Sequence, residues 1–545
     1  MPPSARGESV SLGLWVVGLM RPGVWQPPVA CSRLEREVIK RVKRAKLFVW
    51  LREHRHELFD EDFQAELAEM YQDRPVGQPP VPPAQLGLAT ILQAYTGASD
   101  DEALEACVMD RRWQLALDCM DHATAPFSKT TLVAFRARLI EHDLDRRLVE
   151  RAVALYGQLT GRVAAGKLRA ALDSSPLWGA GRVEDTINLL GHALRKVVGV
   201  LARRQGWGLA EATRVLAARA GVPELGASSL KAALDLDWDD PAALQQALGV
   251  VLAAVGRVEG LAAELGGEQD PAVVKGLAAA RQVQGQDTVV GADGVVRIRQ
   301  GVAKDRRISI EDPQMRHGRK TKRVRIDGYK RHVLTDLDTE LVCAVGVTAA
   351  NLAEAAVADQ ITADLDAQHA TLGELHIDRA YLSSRLVRDR DPDLVVFCKA
   401  FPVRNGPRFA KPAFTLDFDQ DLLTCPNHVT MPFAPGGRVQ FPAQVCQSCP
   451  LRTRCTTSAR GRSVQIHPDE RLLAELRAAQ QTPHGRARLR QRTAVEHTLA
   501  HVGRWQGRRA RYLGQRKNLL DLRRVAVVHN LHVIARQPPP ATQAA

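Results

Sequence analysis

No stretch of this 545-residue chain approaches the roughly 20 consecutive apolar residues that a bilayer-spanning helix needs, so no membrane helix is expected. The apolar run Val10–Met20 lacks a basic start and a small-residue cleavage site, which argues against a secretory leader. We read residues 1–30 as an N-terminal extension ahead of the folded chain. Internal repeats are missing too, which excludes solenoids and propellers. Cysteines are few, and Cys31, Cys107, Cys119, Cys343 and Cys398 are scattered through apolar or helical text, as reduced core thiols are. A disulfide framework is therefore not expected, and the cytoplasm is the expected compartment. Acidic residues are in deficit: 61 Asp and Glu stand against 75 Lys and Arg, for a net charge of +14. A surplus of this size favours a polyanionic partner, because each basic group that neutralises a phosphate releases a counterion. Charge alone does not separate DNA from RNA.

What is present is globular text. Hydrophobic residues make up 45% and charged residues 25%, and the length suits two to four domains. Residues 31–160 read as almost all helix. The apolar pattern of Ala84–Tyr95 stops at Gly97, and Ser99 with Glu102 forms a Ser-x-x-Glu capping box that opens the next helix. A further start at Ser128 leads into Lys129–Leu139, which carries Arg136 and Arg138. Such a unit suits a helix placed in a DNA groove, and equally an ordinary helical bundle with solvated arginines.

The texture changes at Lys167–Asp173, a short strand with Leu168, Ala170 and Leu172 alternating. Residues 184–285 are helical, with Leu190, Leu194, Val197, Val198 and Leu201 on one face. Strand text returns at Thr288–Arg299, then at Gly328–Leu334 and Leu341–Val347 around a turn at Asp336–Glu340. Helical Ala353–Gln368, the strand Glu374–Asp378, a short helix from Ser383 and the strand Leu394–Lys399 follow. Residues 402–465 are Pro-rich, Cys-bearing and irregular. Pro468 to about Ala535 is helical and intensely basic, and 536–545 is a Pro-rich tail. Strand, hairpin, helix, strand, helix, strand and a late helix is the order of an α/β ribonuclease H-like core over 166–535, with 184–285 and 402–465 as insertions.

Phosphodiester chemistry with two Mg²⁺ ions needs carboxylates that converge on one site, because hard cations want oxygen ligands. Asp173 ends the first strand, Asp378 ends the strand Glu374–Asp378, and Glu496 lies on the late helix. They stand far apart in the chain, so only a fold with large insertions unites them. Each also has a simpler reading: Asp173 as a turn cap before Ser174, Asp378 paired with Arg379, and Glu496 in an i, i+4 pair with Arg492. Glu184, Asp185, Asp336 and Asp338 are rival acids, the last two suiting a hairpin turn.

The text around these acids resembles bacterial insertion-sequence transposases of the DDE type, with a ribonuclease H-like core and a helical N-terminal domain. The blocks LDSSPLWGAGRVEDTINLLGHALRKVV (172–198), MRHGRKTKRVRIDGYKRHVLTDLDTELV (315–342), HIDRAY (376–381), RTAVEHTL (492–499) and RARYLGQRKN (509–518) carry the resemblance, in the family's order. The resemblance implies Asp173, Asp378 and Glu496 as a Mg²⁺-binding triad, with Mn²⁺ as a substitute. It implies a homodimer on DNA that joins its element's terminal repeats to target DNA in the nucleoid. The family's Tyr/Arg/Glu/Lys signature is partial: Arg492 and Glu496 match, Leu489 replaces Tyr, and Gly503 replaces Lys, with Arg504 beside it. Rival readings are a nuclease or resolvase on the same core, and a decayed or domesticated transposase that binds DNA without cutting.

Cys425, Cys446, Cys449 and Cys455 form a C-x₂₀-C-x₂-C-x₅-C arrangement able to hold a structural Zn²⁺, with four reduced surface thiols as the simpler reading. Between Arg486 and Lys517 ten Lys or Arg residues accompany one acid, Glu496, which favours phosphate contact over a mixed solvated face. Arg492, Arg504, Arg508, Arg509, Arg511 and Lys517 are the DNA-contact candidates there, and Lys330 is one on the hairpin. Trp178 and Trp505 are expected in the core, with base stacking as the alternative.

Overall fold

The computed structural model describes residues 21–72, 79–161, 167–206, 208–320 and 323–537. Most of the extension expected over 1–30, and the tail from 538 on, lie outside the described residues. The chain divides into two units, residues 1–163 with 523–545, and residues 164–522.

The first unit is helical: α1 (Arg33–Arg41), α2 (Leu47–Leu58), α3 (Glu61–Ala68), α4 (Pro83–Thr96), α5 (Asp100–Met109), α6 (Arg111–Leu117), α7 (Lys129–Glu141) and α8 (Asp145–Thr160). Gly97 ends α4 at φ 77°, a left-handed conformation that glycine adopts without steric cost. Both bonds of the Ser99–Glu102 capping box are present. Arg136 on α7 is buried and donates to both Asp100 carboxylate oxygens at 2.7 Å, and to Gln93 at 2.9 Å. It ties α7 to the start of α5 and is not offered to a groove. Within the expected extension, the described residues 21–30 reach the fold at Trp25. Trp25 is buried, exchanges backbone hydrogen bonds with the Gln64 amide, and lies under the Arg55 guanidinium.

The second unit is built on a mixed sheet. β1 (Lys167–Trp178) pairs antiparallel with β5 (Arg325–Asp336) and parallel with β7 (Thr371–Ile377); β7 pairs parallel with β8 (Val395–Cys398). On its other side β5 meets β4 (Arg316–Arg319) and β6 (Val342–Ala349), both antiparallel. β1 runs five residues past Asp173, because its register with β5 continues from Ala170–Asp336 to Trp178–Gly328. The Thr288–Arg299 text is a separate ribbon, β2 (Thr288–Val290) against β3 (Val296–Ile298), outside this sheet.

Between β1 and β2 lie α9 (Thr186–Arg204), α10 (Leu209–Arg219), the short α11 (Leu230–Ala233), α12 (Pro241–Glu264) and α13 (Pro271–Asp287). They share a core in which the α9 stripe Leu190, Leu194, Val197, Val198 and Leu201 is fully buried. Among the described residues α12 alone, with 24 residues, is long and apolar enough to cross a membrane by length and composition. Its inward positions Leu248, Val251 and Val258 belong to this same core.

After β6 come α14 (Ala358–Ala367), α15 (Arg385–Arg388) and β8. The segment expected to be irregular has its own order. β9 (Thr415–Asp417), β10 (Leu422–Thr424) and β11 (Thr430–Pro432) form one small sheet; β12 (Arg438–Gln440) and β13 (Ser463–Gln465) form another. Short α16 (Ala443–Gln447) and α17 (Arg452–Cys455) lie between the last two strands. Phe414, Leu423, Phe433, Val439, Phe441, Val464 and Ile466 make a separate small core. α18 (Glu470–Gln481), α19 (Pro483–Arg490), α20 (Thr493–Gln506) and α21 (Gln515–Ile534) follow, and the division between units falls within α21.

Candidate active site

Strand alternation decides which way β1 presents its side chains. Leu168, Ala170 and Leu172 enter an apolar core with Leu375, Ile377, Ile361 and Leu365. Asp173 and Ser175 therefore turn to the opposite face, where Arg492 stands at the N-cap of α20. The last parallel pair of β1 and β7 is Leu172–Ile377. The residue after each of these is an aspartate, so Asp173, still within β1, and Asp378, just past the end of β7, stand beside each other where the two strands part. Each is held by a local backbone N–H: Ser174 donates to Asp173 and Arg379 to Asp378, both at 2.7 Å.

Glu496 arrives in the first turn of α20, whose Val495, Leu499 and Val502 are buried. One group connects two of the acids. The Arg492 guanidinium donates to Asp173 Oδ2 and, at 2.7 Å, to Glu496 Oε1. Burial opposes the Arg492 charge, but the charges of Asp173, Glu496 and Asp378 outweigh it and hold its pKa above the ordinary value. Asp173 shows the reverse balance. Burial, with a smaller push from Asp378, raises its pKa against the pull of the Ser174 N–H and Arg492. Among the described residues no group of three or more His, Cys, Asp or Glu side chains is arranged to hold a metal ion. Here the guanidinium takes the bridging position between Asp173 and Glu496.

Two supports escaped the sequence reading. Arg331 on β5 is buried and donates to Ser175 Oγ at 2.7 Å, Gln506 Oε1 at 3.0 Å and the Gly507 carbonyl at 2.9 Å. It joins the strand of Asp173 to the end of the helix of Glu496, and burial pulls its pKa down to about 10. The signal was an arginine inside the strand text GYKRHVL. Tyr381, in the HIDRAY block, is buried with its hydroxyl 2.8 Å from His332 Nδ1; His332 Nε2 lies 2.9 Å from Thr348 Oγ1. Burial lowers the His332 pKa to about 3, so the imidazole is neutral.

The basic candidates divide. Arg504, Arg508, Arg509, Arg511 and Lys517 are exposed. Arg508 lies over the Trp178 ring, 5.8 Å from its centroid. Arg509 donates to the carbonyls of Gly179 at 3.1 Å and Ala180 at 3.0 Å, which fixes the loop after β1. Lys330 is a correction. It is buried, with Nζ 2.6 Å from the Leu352 carbonyl and 3.1 Å from Glu354 Oε1, so it serves the fold and does not face DNA. Trp178 and Trp505 are both half-buried rather than core residues. Of the rival acids, Asp336 accepts from the Thr339 N–H and hydroxyl within the hairpin turn, and Asp338 pairs with Arg169. Glu184 is buried against His192 at 2.8 Å, and Asp185 caps α9.

Cys425, Cys446, Cys449 and Cys455 line one cavity of about 30 Å³, together with Phe409 and Phe441. The Val429 N–H points to Cys425 Sγ at 3.4 Å, and the Arg462 N–H to Cys446 Sγ at 3.5 Å. Burial raises the Cys455 pKa; Arg462 lowers it, and the other three cysteines raise it further. All four are free thiols, half-buried.

Comparison with known families adds three matches. A family described as "Transposase domain (DUF772)" matches residues 37–138, and two described as "Transposase DDE domain" match residues 298–391 and 424–535. Asp378 falls in the second segment, and Glu496 with the four cysteines in the third; Asp173 lies outside all three. No curated protein and no solved structure matches the chain.

Proposed function

Because the chain belongs to the insertion-sequence DDE transposases, we propose that it cuts the ends of its own element and joins them to target DNA, with Asp173, Asp378 and Glu496 as the catalytic carboxylates. The observation that carries this is the meeting of Asp173 and Glu496, distant in sequence, on one guanidinium, with Asp378 following the strand paired parallel to that of Asp173. The strand arrangement supports a ribonuclease H-like core: antiparallel β6, β5 and β1, then parallel β7 and β8. In this reading the core spans 166–535, with 184–285 and 402–465 inserted, and 31–160 is the domain that holds the terminal repeats.

The donor set is that of a hard divalent cation, which the carboxylate oxygens of Asp173, Asp378 and Glu496 would hold. When bound, such a cation supplies activation of the attacking oxygen and charge stabilisation at the phosphorus. The rest falls to the chain. Arg492 neutralises the acids in the free protein and turns to a phosphate oxygen when DNA enters. Arg331 holds α20 against β1, so Glu496 stays in register with Asp173. Tyr381 and neutral His332 buttress the sheet beneath. Arg504, Arg508, Arg511 and Lys517 grip phosphates without reading sequence. The enzyme works as a homodimer that pairs two element ends, on the nucleoid in the cytoplasm. Four thiolates, soft donors around one small cavity, suit a structural Zn²⁺ held by Cys425, Cys446, Cys449 and Cys455.

The test is Mg²⁺-dependent cleavage and strand transfer on labelled element-end DNA. Wild type is expected to cut and join, while Asp173→Ala, Asp378→Ala and Glu496→Ala bind but do not cut. Cutting by those variants at the wild-type rate removes the triad. Cutting without joining moves the protein to the nucleases. Binding by a wild type that never cuts leaves a DNA-binding protein derived from a transposase.

A further inference from the structure

The helical unit carries a second basic surface, remote in sequence from the carboxylates. An open cleft of about 630 Å³ lies between the α1–α2 connection, α2 and the end of α21. Lys43, Arg44, Lys46 and Arg536 line it and are exposed, as is its one acid, Glu53; Trp50 forms part of the wall. Among the described residues no carboxylate pairs with any of those four cations. The nearby Lys40 and Arg41, by contrast, are both held by Glu37 at 3.0 Å.

Local helix chemistry does not account for these charges. Basic residues in the last turn of α1, Lys40 and Arg41, favour the negative end of that helix. Lys43, Arg44 and Lys46 lie beyond it, at the entrance to α2. Lys46 occupies the N-cap of α2 without a side-chain cap bond, and the first turn has no acid. Cations at the positive end of a helix cost stability, and an N-cap normally carries Ser, Thr, Asp or Asn. Local rules broken together in one place, with no compensating contact, mark a functional surface. A concave wall lined by one sign of charge also concentrates its field on an incoming polyanion.

We propose that this cleft binds the sugar-phosphate backbone of duplex DNA, with Lys43, Arg44, Lys46 and Arg536 on successive phosphates. The choice of DNA rests on the transposase reading above; the cleft itself rests on its charge and shape. Contact is to phosphates, so it positions the duplex without selecting sequence.

The test uses full-length protein and fluorescence anisotropy with a labelled scrambled-sequence duplex across a salt series, beside the cleavage assay. Lys43→Glu with Arg44→Glu is expected to weaken duplex binding at least tenfold. The slope of log affinity against log salt should become shallower by about 2, since each neutralised phosphate contributes about 0.9. Lys43→Gln with Arg44→Gln should shift the slope alike with a smaller loss of affinity, and both variants should keep the wild-type melting temperature. Unchanged affinity and slope in both pairs overturn the proposal, and so does a wild type that retains no duplex. Dependence of phosphatidylglycerol-vesicle binding, but not duplex binding, on these residues overturns it in favour of a membrane surface. If wild type cuts element ends and the charge-reversed pair binds and cuts equally well, the cleft falls and the transposase reading stands. If wild type cuts nothing but the pair still loses duplex, the cleft stands and that reading falls.

Discussion

The carboxylate site and the cysteine cavity solve opposite problems. At the first, the sheet sets Asp173 beside Asp378, and a protein cation, Arg492, sits between Asp173 and Glu496 of α20. At the second, four thiols from one short segment surround a cavity of about 30 Å³, where two backbone N–H groups point to sulfur. The first needs no ion to fold, because its scaffold is buried strand pairing and its charge is partly balanced from within. The second hangs on three-residue strands and a core of seven buried residues. Metal should therefore matter to chemistry at one site and to stability at the other.

The strongest way to break this contrast is at the carboxylates. Asp173→Ala, Asp378→Ala and Glu496→Ala should each lower end cleavage by about 10³-fold or more. Their melting temperatures should stay near that of wild type, and chelation should abolish cleavage without unfolding the sheet. A chelator that melts the whole protein before it stops cleavage would show that the two sites are not separable in this way.

Next come the cysteines. Cys446→Ser or Cys449→Ser should remove one equivalent of zinc by elemental analysis and destabilise the segment by roughly 2–4 kcal/mol, since metal binding and local folding are coupled there. End cleavage at low temperature should survive. Wild-type protein that contains no zinc, yet melts as the variants do, would leave the small apolar core as sufficient.

The same contrast explains what could be read from the sequence. The neighbourhood of Asp173 and Asp378 was legible because an acid placed directly after core-facing apolar residues of a strand has a physical reason, and Leu172 and Ile377 are adjacent in the sheet. The end of β1 was misjudged because Ser174, Ser175 and Pro176 read as a turn, while the pairing that extends the strand comes from β5, far along the chain. Lys330 was read as a DNA contact and Arg331 was passed over, yet both are buried, one on Leu352 and Glu354 and the other on Ser175 and Gln506. A sheet covered on both faces hides charge in ways that alternation does not reveal. Arg136 was misread for a similar reason: its partner Asp100 lies on another helix. The cysteine segment read as irregular because strands of three residues are too short to show a period.

The smallest expected effect tests how the scaffold keeps the carboxylates aligned. Arg331 is not near enough to the acids to exchange charge with them by hydrogen bond, but it spans β1 and the end of α20 through Ser175, Gln506 and Gly507. Arg331→Met fills similar space and leaves three acceptors without their donor. At about 1 kcal/mol for each lost bond, the variant should be less stable by roughly 2–3 kcal/mol. Its further signature separates positioning from mere stability. Below its melting temperature the variant should bind element-end DNA with wild-type affinity, yet cut it about tenfold more slowly, because Glu496 is no longer held in register with Asp173. Arg331→Lys should recover part of the stability but not the full rate, since one ammonium cannot reproduce the planar fork that reaches both β1 and α20. Equal cleavage by Arg331→Met and wild type at a temperature where both are folded would show that the sheet alone aligns the acids, and that the tie to α20 serves stability only.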